Sequence, residues 1–184
     1  MKGIVFNLLE EVVSEELGES VWDSLLDTTG LDGAYTSVGS YDDEDLMALV
    51  SAASTALGKS NDEIVRWFGA KALPLLAARY PGFFEEHTSA LSFILTLNEV
   101  IHPEVRKLFP GAYAPSFEFL TMDDDALQLS YISHRKLCSF AEGLIEGAAS
   151  FYSEEVSIEQ TMCAKQGGDR CVLVARFTPK GTSG

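Results

Sequence analysis

At 184 residues and 46% hydrophobic content, the chain is long enough for one well-packed domain, or a domain with a small subdomain. A net charge of −15, with a pI near 4.4, argues against a nucleic-acid binder, which must neutralise phosphates with Lys and Arg. No run of about 18 apolar residues occurs, so no membrane span is expected, and the Glu-containing start does not read as a signal peptide, which points to a cytoplasmic protein.

The first segment, residues 2–17, carries Ile4, Val5, Leu8, Leu9, Val12 and Val13 at helical spacing and stops at Gly18. A short helix over 20–28 presents Trp22, Leu25 and Leu26 on one face, and 30–39 reads as loop. Residues 42–57 form another amphipathic helix ended by Gly58. Ser60-Asn61-Asp62-Glu63 then supplies an N-cap and an acidic first turn for a helix reaching Tyr80, with a kink expected at Pro74. From Pro81-Gly82, the residues Phe84, Ala90, Leu91, Ile94, Leu97 and Ile101 predict one buried helix carrying His102. Pro103 directly after the histidine predicts a bend there.

Beyond Pro110-Gly111 the period changes from helical to alternating. Phe117, Phe119 and Thr121 oppose Glu118 and Leu120, Asp123-Asp124-Asp125 makes a turn, and 127–133 pairs back as a hairpin. Residues 136–152 return to helix. Residues 156–165 and 171–177, joined through Gly167-Gly168-Asp169, predict a last hairpin, and 179–184 reads as a flexible tail. The expected class is α+β: a helical N-terminal subdomain over 1–65 and an α+β part with an antiparallel sheet over 66–178, together one domain.

Two features carry chemistry. Tyr131-Ile132-Ser133-His134-Arg135 puts a phenol, a hydroxyl and a guanidinium at alternate positions about thirty residues after His102. On an extended strand these three point to one face and span roughly 13 Å, enough for two carboxylates splayed from one flat ligand. At the centre of such a ligand, were it a porphyrin, His102 offers a neutral imidazole nitrogen for iron. A solvated strand face and a satisfied core histidine explain the same residues, so chemistry alone leaves both readings standing. Other motifs lead nowhere. Gly58-Lys59-Ser60 lacks the upstream glycine of a P-loop, the three aspartates lack the further ligands of a calcium loop, and no hydrolase elbow or zinc-protease motif occurs.

The chain resembles the haem–nitric oxide/oxygen binding (H-NOX) family, the sensor domain related to the haem domain of soluble guanylate cyclase. The resemblance rests on Met1-Lys2-Gly3-Ile4-Val5, the helix with His102, Pro115, the Tyr131/Ser133/Arg135 motif, Gly143-Leu144-Ile145-Glu146-Gly147 and the C-terminal strands. It implies a non-enzymatic sensor that buries haem b between the two parts. In it His102 is the proximal iron ligand, Tyr131, Ser133 and Arg135 clasp the propionates, and Pro115 presses on the porphyrin. Val5, Leu9, Phe140 and Leu144 match other pocket-lining positions. Oxygen-binding members place a tyrosine where this chain has Phe140, so the resemblance implies nitric oxide as ligand. It also implies a signalling partner, by analogy a histidine kinase or a cyclic-di-GMP enzyme. An oxygen sensor or haem enzyme of the same fold, or a haem-free thiol-redox or interaction module, is the alternative.

Cys138, Cys163 and Cys171 are an odd set in a chain read as cytoplasmic, which argues against a disulfide scaffold. Some bacterial members resembling this pattern bind zinc there with a histidine three residues before the middle cysteine. Here that position is Gln160, a poor ligand, so zinc, a redox-switchable thiol site and reduced structural thiols all stay open.

Overall fold

The computed structural model describes residues 1–123 and 125–181. Asp124 of the expected aspartate turn and residues 182–184 of the expected tail lie outside that range. Four helices come first: α1 (Gly3–Leu17), α2 (Glu19–Thr29), α3 (Asp43–Leu57) and α4 (Asn61–Arg79). Their start and stop signals act as the sequence predicts. Ser60 accepts the Glu63 backbone N–H while the Glu63 carboxylate accepts the Ser60 N–H, a reciprocal cap on α4. Gly30 and Gly58 adopt the left-handed conformation that closes α2 and α3.

The apolar stretch before His102 is not the single helix its hydrophobicity predicts. It breaks into a 3-10 turn (Pro81–Phe83), the short helix α5 (Ala90–Ile94), a π-helical turn (Leu97–Ile101) and α6 (His102–Leu108). Ser89 and Ser92 form a capping box that starts α5 anew. Pro103 falls in the first turn of α6, where its missing N–H costs nothing, so it begins a helix at His102 rather than distorting one.

Strands β1 (Ser116–Asp123) and β2 (Ala126–Ile132) form the first hairpin; α7 (Cys138–Phe151) follows, then β3 (Glu154–Met162) and β4 (Cys171–Pro179). The two hairpins join through β2 and β4 into one antiparallel sheet of order β1-β2-β4-β3. The fold is thus mixed, with helices and a four-stranded sheet.

Two large buried clusters organise the interior, with a smaller one of Tyr131, Cys138, Ala141 and Cys171 beside them. The first packs Phe6, Leu9, Val12, Trp22, Leu49, Val50, Ile64 and Phe68 from α1 to α4. The second packs the inner face of the sheet (Leu127, Leu129, Leu173, Ala175, Phe177) against Ile145 and Ala148 of α7 and Phe84, Phe93 and Ile94. Helix α4 serves both, giving Phe68 and Ala72 to the first and Leu73 and Ala77 to the second. It lies close on α7 because small residues face each other. A Cβ on Gly143 would sit 2.0 Å from the Arg66 carbonyl oxygen, and one on Gly69 2.6 Å from that of Phe140. Arg66 adds a polar seam, donating to Glu142 at 2.6 Å and to Glu146 at 2.6 Å.

Candidate functional site

A cavity of about 450 Å³ opens between the helical cluster and the strand–helix part, within the size range of small-molecule and cofactor sites. It is walled by Ile4, Val5 and Leu8 of α1, Leu73 and Leu76 of α4, His102 and Val105 of α6, Pro115, Phe117 and Leu129, and Phe140 and Leu144 of α7. Tyr131, Ser133 and Arg135 supply a polar arc to the same cavity. The sequence-predicted residues therefore meet, with one exception. Leu9 is buried in the helical cluster with Phe6 and Val12, and Leu8 lines the cavity in its place. Positions 4, 5 and 8 make one stripe of α1, and Leu9, 100° further round, turns into the core.

His102 opens α6, directly after the π-helical turn, and its ring lies 5.8 Å from that of Phe117 at an interplanar angle of 28°. Asn98, one turn earlier, fixes this placement. Its amide donates to the Phe117 carbonyl at 2.6 Å and its oxygen accepts the Phe117 N–H at 3.2 Å, tying the turn to β1. Burial, and then the Arg106 charge, hold the imidazole pKa down to about 4, against a smaller opposing pull from the Pro115 backbone. The ring is neutral at pH 7. Its Nδ1 is buried and makes no hydrogen bond among the described residues, an orphaned polar atom in an apolar wall. A neutral imidazole on an apolar cavity is what a haem iron takes as a protein ligand.

The polar arc differs from the strand line that alternation predicts. Only Tyr131 sits on β2, because the strand ends at Ile132. The chain then turns: Lys136 N–H donates to the Ser133 carbonyl at 3.3 Å, Lys136 has φ +53°, and the Ser133 hydroxyl accepts the Arg135 N–H at 3.2 Å. The turn, not the pleat, brings the guanidinium to the cavity. Tyr131 is buried, and its hydroxyl accepts the Leu137 N–H at 3.3 Å. Arg135 donates Nε to Asp43 Oδ2 at 2.6 Å and Nη1 to the Tyr113 carbonyl at 3.1 Å, with its guanidinium carbon 5.0 Å from the centre of the Tyr113 ring. Two hydroxyls and a guanidinium on the rim of an apolar cavity suit the two carboxylates of haem.

The thiols form a second group. Cys138 begins α7, Cys171 begins β4 and Cys163 follows β3, with all three sulphurs within 4.8 Å of one another. Three thiolates bound tetrahedrally at 2.3 Å would stand about 3.8 Å apart, so small movements would close the group on a metal. The Cys171 sulphur accepts the Ala164 N–H at 3.3 Å. Burial pushes that thiol up to about 12, with the neighbouring thiols adding to the shift and the Ala164 N–H opposing it. Gln160 is exposed on β3 opposite Leu173.

The family model described as haem-NO-binding matches residues 2–160. The chain belongs to the H-NOX family. Among solved structures, an H-NOX protein from Shewanella oneidensis in the Fe(II)NO ligation state is 32% identical, with a TM-score of 0.90 over 97% of this chain and 99% of that one. A mutant form of a protein from the same organism, in the Fe(II) state, gives a TM-score of 0.92 at 31% identity over 99% of this chain and 98% of its own. An H-NOX protein from K. algicida, at 23% identity with a TM-score of 0.85 over 97% of both chains, shares the fold. A comparison with curated proteins gives no match. The domain is therefore of a haem-based gas-sensor family, and no helix among its described residues is long and apolar enough to cross a membrane.

Asn98, Asp43 and Tyr113 escaped the sequence reading. An amide one turn before His102, in an otherwise apolar stretch, was the available signal for Asn98. Asp43 lies 92 residues from Arg135 and gives no local sign of the contact.

Proposed function

We propose that this H-NOX domain is a cytoplasmic nitric oxide sensor that holds haem b, and that it signals to a partner rather than catalysing a reaction. The observation that carries the reading is the His102 imidazole, its buried Nδ1 without a partner among the described residues, and the Tyr131–Ser133–Arg135 arc on one apolar cavity, with Phe140 on its wall. Bound haem would supply a ferrous iron that accepts a diatomic gas.

Each residue has a part in this reading. His102 would bind the iron, while Arg135, Ser133 and Tyr131 would hold the propionates. Pro115, with its rigid ring, bears on the porphyrin. Val5, Phe140 and Leu144 wall the pocket, and their side chains bring no hydrogen-bond donor. Bound oxygen carries partial negative charge and depends on such a donor, whereas nitric oxide needs little help. Phe140 stacks on Phe68 at 5.2 Å, deep against the helical cluster. Tyr80, a hydroxyl-bearing ring of the cavity, packs instead on Phe83 and Phe109, beyond the end of α6.

The His102 ring is held by packing on Phe117 and by the Pro115 backbone, and gas binding would move it against these contacts. Its movement would act on α6 and on the turn that Asn98 ties to β1. The strand part would then shift against α1, whose Ile4, Val5 and Leu8 face the same cavity. A histidine kinase or a cyclic-di-GMP enzyme is the class of partner that would read such a displacement.

The thiol triad supports a second, separate site: a soft divalent ion such as zinc on Cys138, Cys163 and Cys171, with its fourth position not filled by Gln160. Reconstitution with haem tests the main reading. A Soret band that shifts when the anaerobic ferrous protein meets nitric oxide is expected. A protein that takes up no haem would leave only the thiol module.

A further inference from the structure

The Arg135 guanidinium has five N–H groups. Nε is taken by Asp43 Oδ2 at 2.6 Å, and one N–H of Nη1 by the Tyr113 carbonyl at 3.1 Å. The remaining three, on Nη1 and Nη2, have no protein partner among the described residues. Asp43 thus occupies Nε and leaves the N–H groups of Nη2 and one of Nη1 for another carboxylate. The Tyr113 ring lies under the guanidinium and limits its tilt.

Asp43 is itself held from a second direction. Its Oδ1 accepts the Met1 amine at 2.7 Å, so its two oxygens bridge two cations. Burial pushes the Asp43 carboxyl up, but the hydrogen bonds and charges of Arg135 and of the amine outweigh it and keep the pKa below the ordinary value. Arg135 is the more enclosed partner, with its side chain 16% exposed against 37% for Asp43. A long side chain in that setting loses much of its rotamer freedom, and a charge-assisted contact decides which rotamer survives.

We propose that Asp43, the first residue of α3, is a positioning residue of the propionate clasp. It holds Arg135 at the cavity with its remaining N–H groups free for a propionate, and so makes haem retention depend on the helical half of the molecule. This rests on the reading of Arg135 as a propionate ligand. It assigns to α3, which lines no part of the cavity, an indirect hold on the cofactor through the contact of Asp43 with Arg135.

Haem loss to an acceptor protein tests it, measured for the holoprotein and for Asp43→Asn, Asp43→Glu, Arg135→Ala and Asp43→Asn/Arg135→Ala. Loss should quicken about three- to tenfold in Asp43→Asn, the size of one ordinary hydrogen bond, because the change loosens Arg135 without removing its own contact. It should recover in part in Asp43→Glu, and be no faster in the double variant than in Arg135→Ala alone. With haem dimethyl ester, which has no propionate charges, wild type and Asp43→Asn should lose cofactor equally. If Arg135→Ala quickens loss and Asp43→Asn does not, Asp43 has no positioning role while the clasp stands. If the two changes multiply in the double variant, or the ester form shows the same Asp43 effect, Asp43 acts on general stability and the proposal fails. If Arg135→Ala leaves loss unchanged, the clasp fails and the proposal with it.

Discussion

The cavity and the thiol triad share a wall but are built on opposite plans. Tyr131 lines the cavity, while its Cα partner across β2 and β4 is Cys171, and its hydroxyl accepts the N–H of Leu137, the residue before Cys138. On the cavity side, the proposed binding would be spread over many apolar side chains with a few polar groups at the rim. On the thiol side it rests on three sulphurs. A distributed site should lose affinity by degrees as single residues are changed, except at the one atom that bonds iron. A concentrated site should fail entirely with any one ligand.

The sharpest break comes from His102→Gly, which removes the only covalent link proposed between chain and cofactor. It should give apoprotein, or haem held stably only with added imidazole. A variant with an unchanged ferrous spectrum would remove His102 from the iron.

Cys163→Ser is the matching change on the other side of Tyr131. If the triad holds zinc, elemental analysis of the wild type should show about one zinc per chain, and the variant none, with its haem content unchanged. Zinc-free wild-type protein with three titratable thiols would make the triad a set of reduced structural cysteines.

A graded effect is expected at the rim. Arg135→Ala removes a charge-assisted pair worth roughly 1.5–3 kcal/mol, which corresponds to haem loss faster by about ten- to a hundredfold. Loss as slow as wild type would show that the propionates are held elsewhere.

The smallest effect belongs to Phe140→Tyr, which adds one hydroxyl to the pocket wall. A measurable oxygen complex in the variant is the expected gain. It should be weak, because Phe140 packs against Phe68 and the new hydroxyl is aimed by that contact.

The two sides also differ in how far they could be read from sequence. The helices of the first cluster show themselves through period and caps: Ser60 and Glu63 form the reciprocal cap that their spacing predicts, and Gly18 and Gly58 stop their helices. The strands show through alternation, although the joining of both hairpins through β2 and β4 leaves no local mark. Around His102 the reading failed, because hydrophobicity gives burial but not continuity. Ser89 and Ser92 restart a helix, and Pro103 begins one. The residue types of the clasp were legible, but its shape was not, since a turn at Ser133–Lys136 replaces the expected strand. Leu9 was misplaced because an apolar residue on a helix between two cores can turn toward either. The contact of Asp43 with Arg135 is long-range and so outside the reach of any local pattern.

The most direct test of nitric oxide selectivity on a His102-ligated haem is a visible spectrum of the reduced, haem-loaded protein, first exposed to air and then, anaerobically, to nitric oxide. The account predicts no stable oxygen complex in air and a clear spectral change with nitric oxide. A stable oxygen complex in air would contradict it.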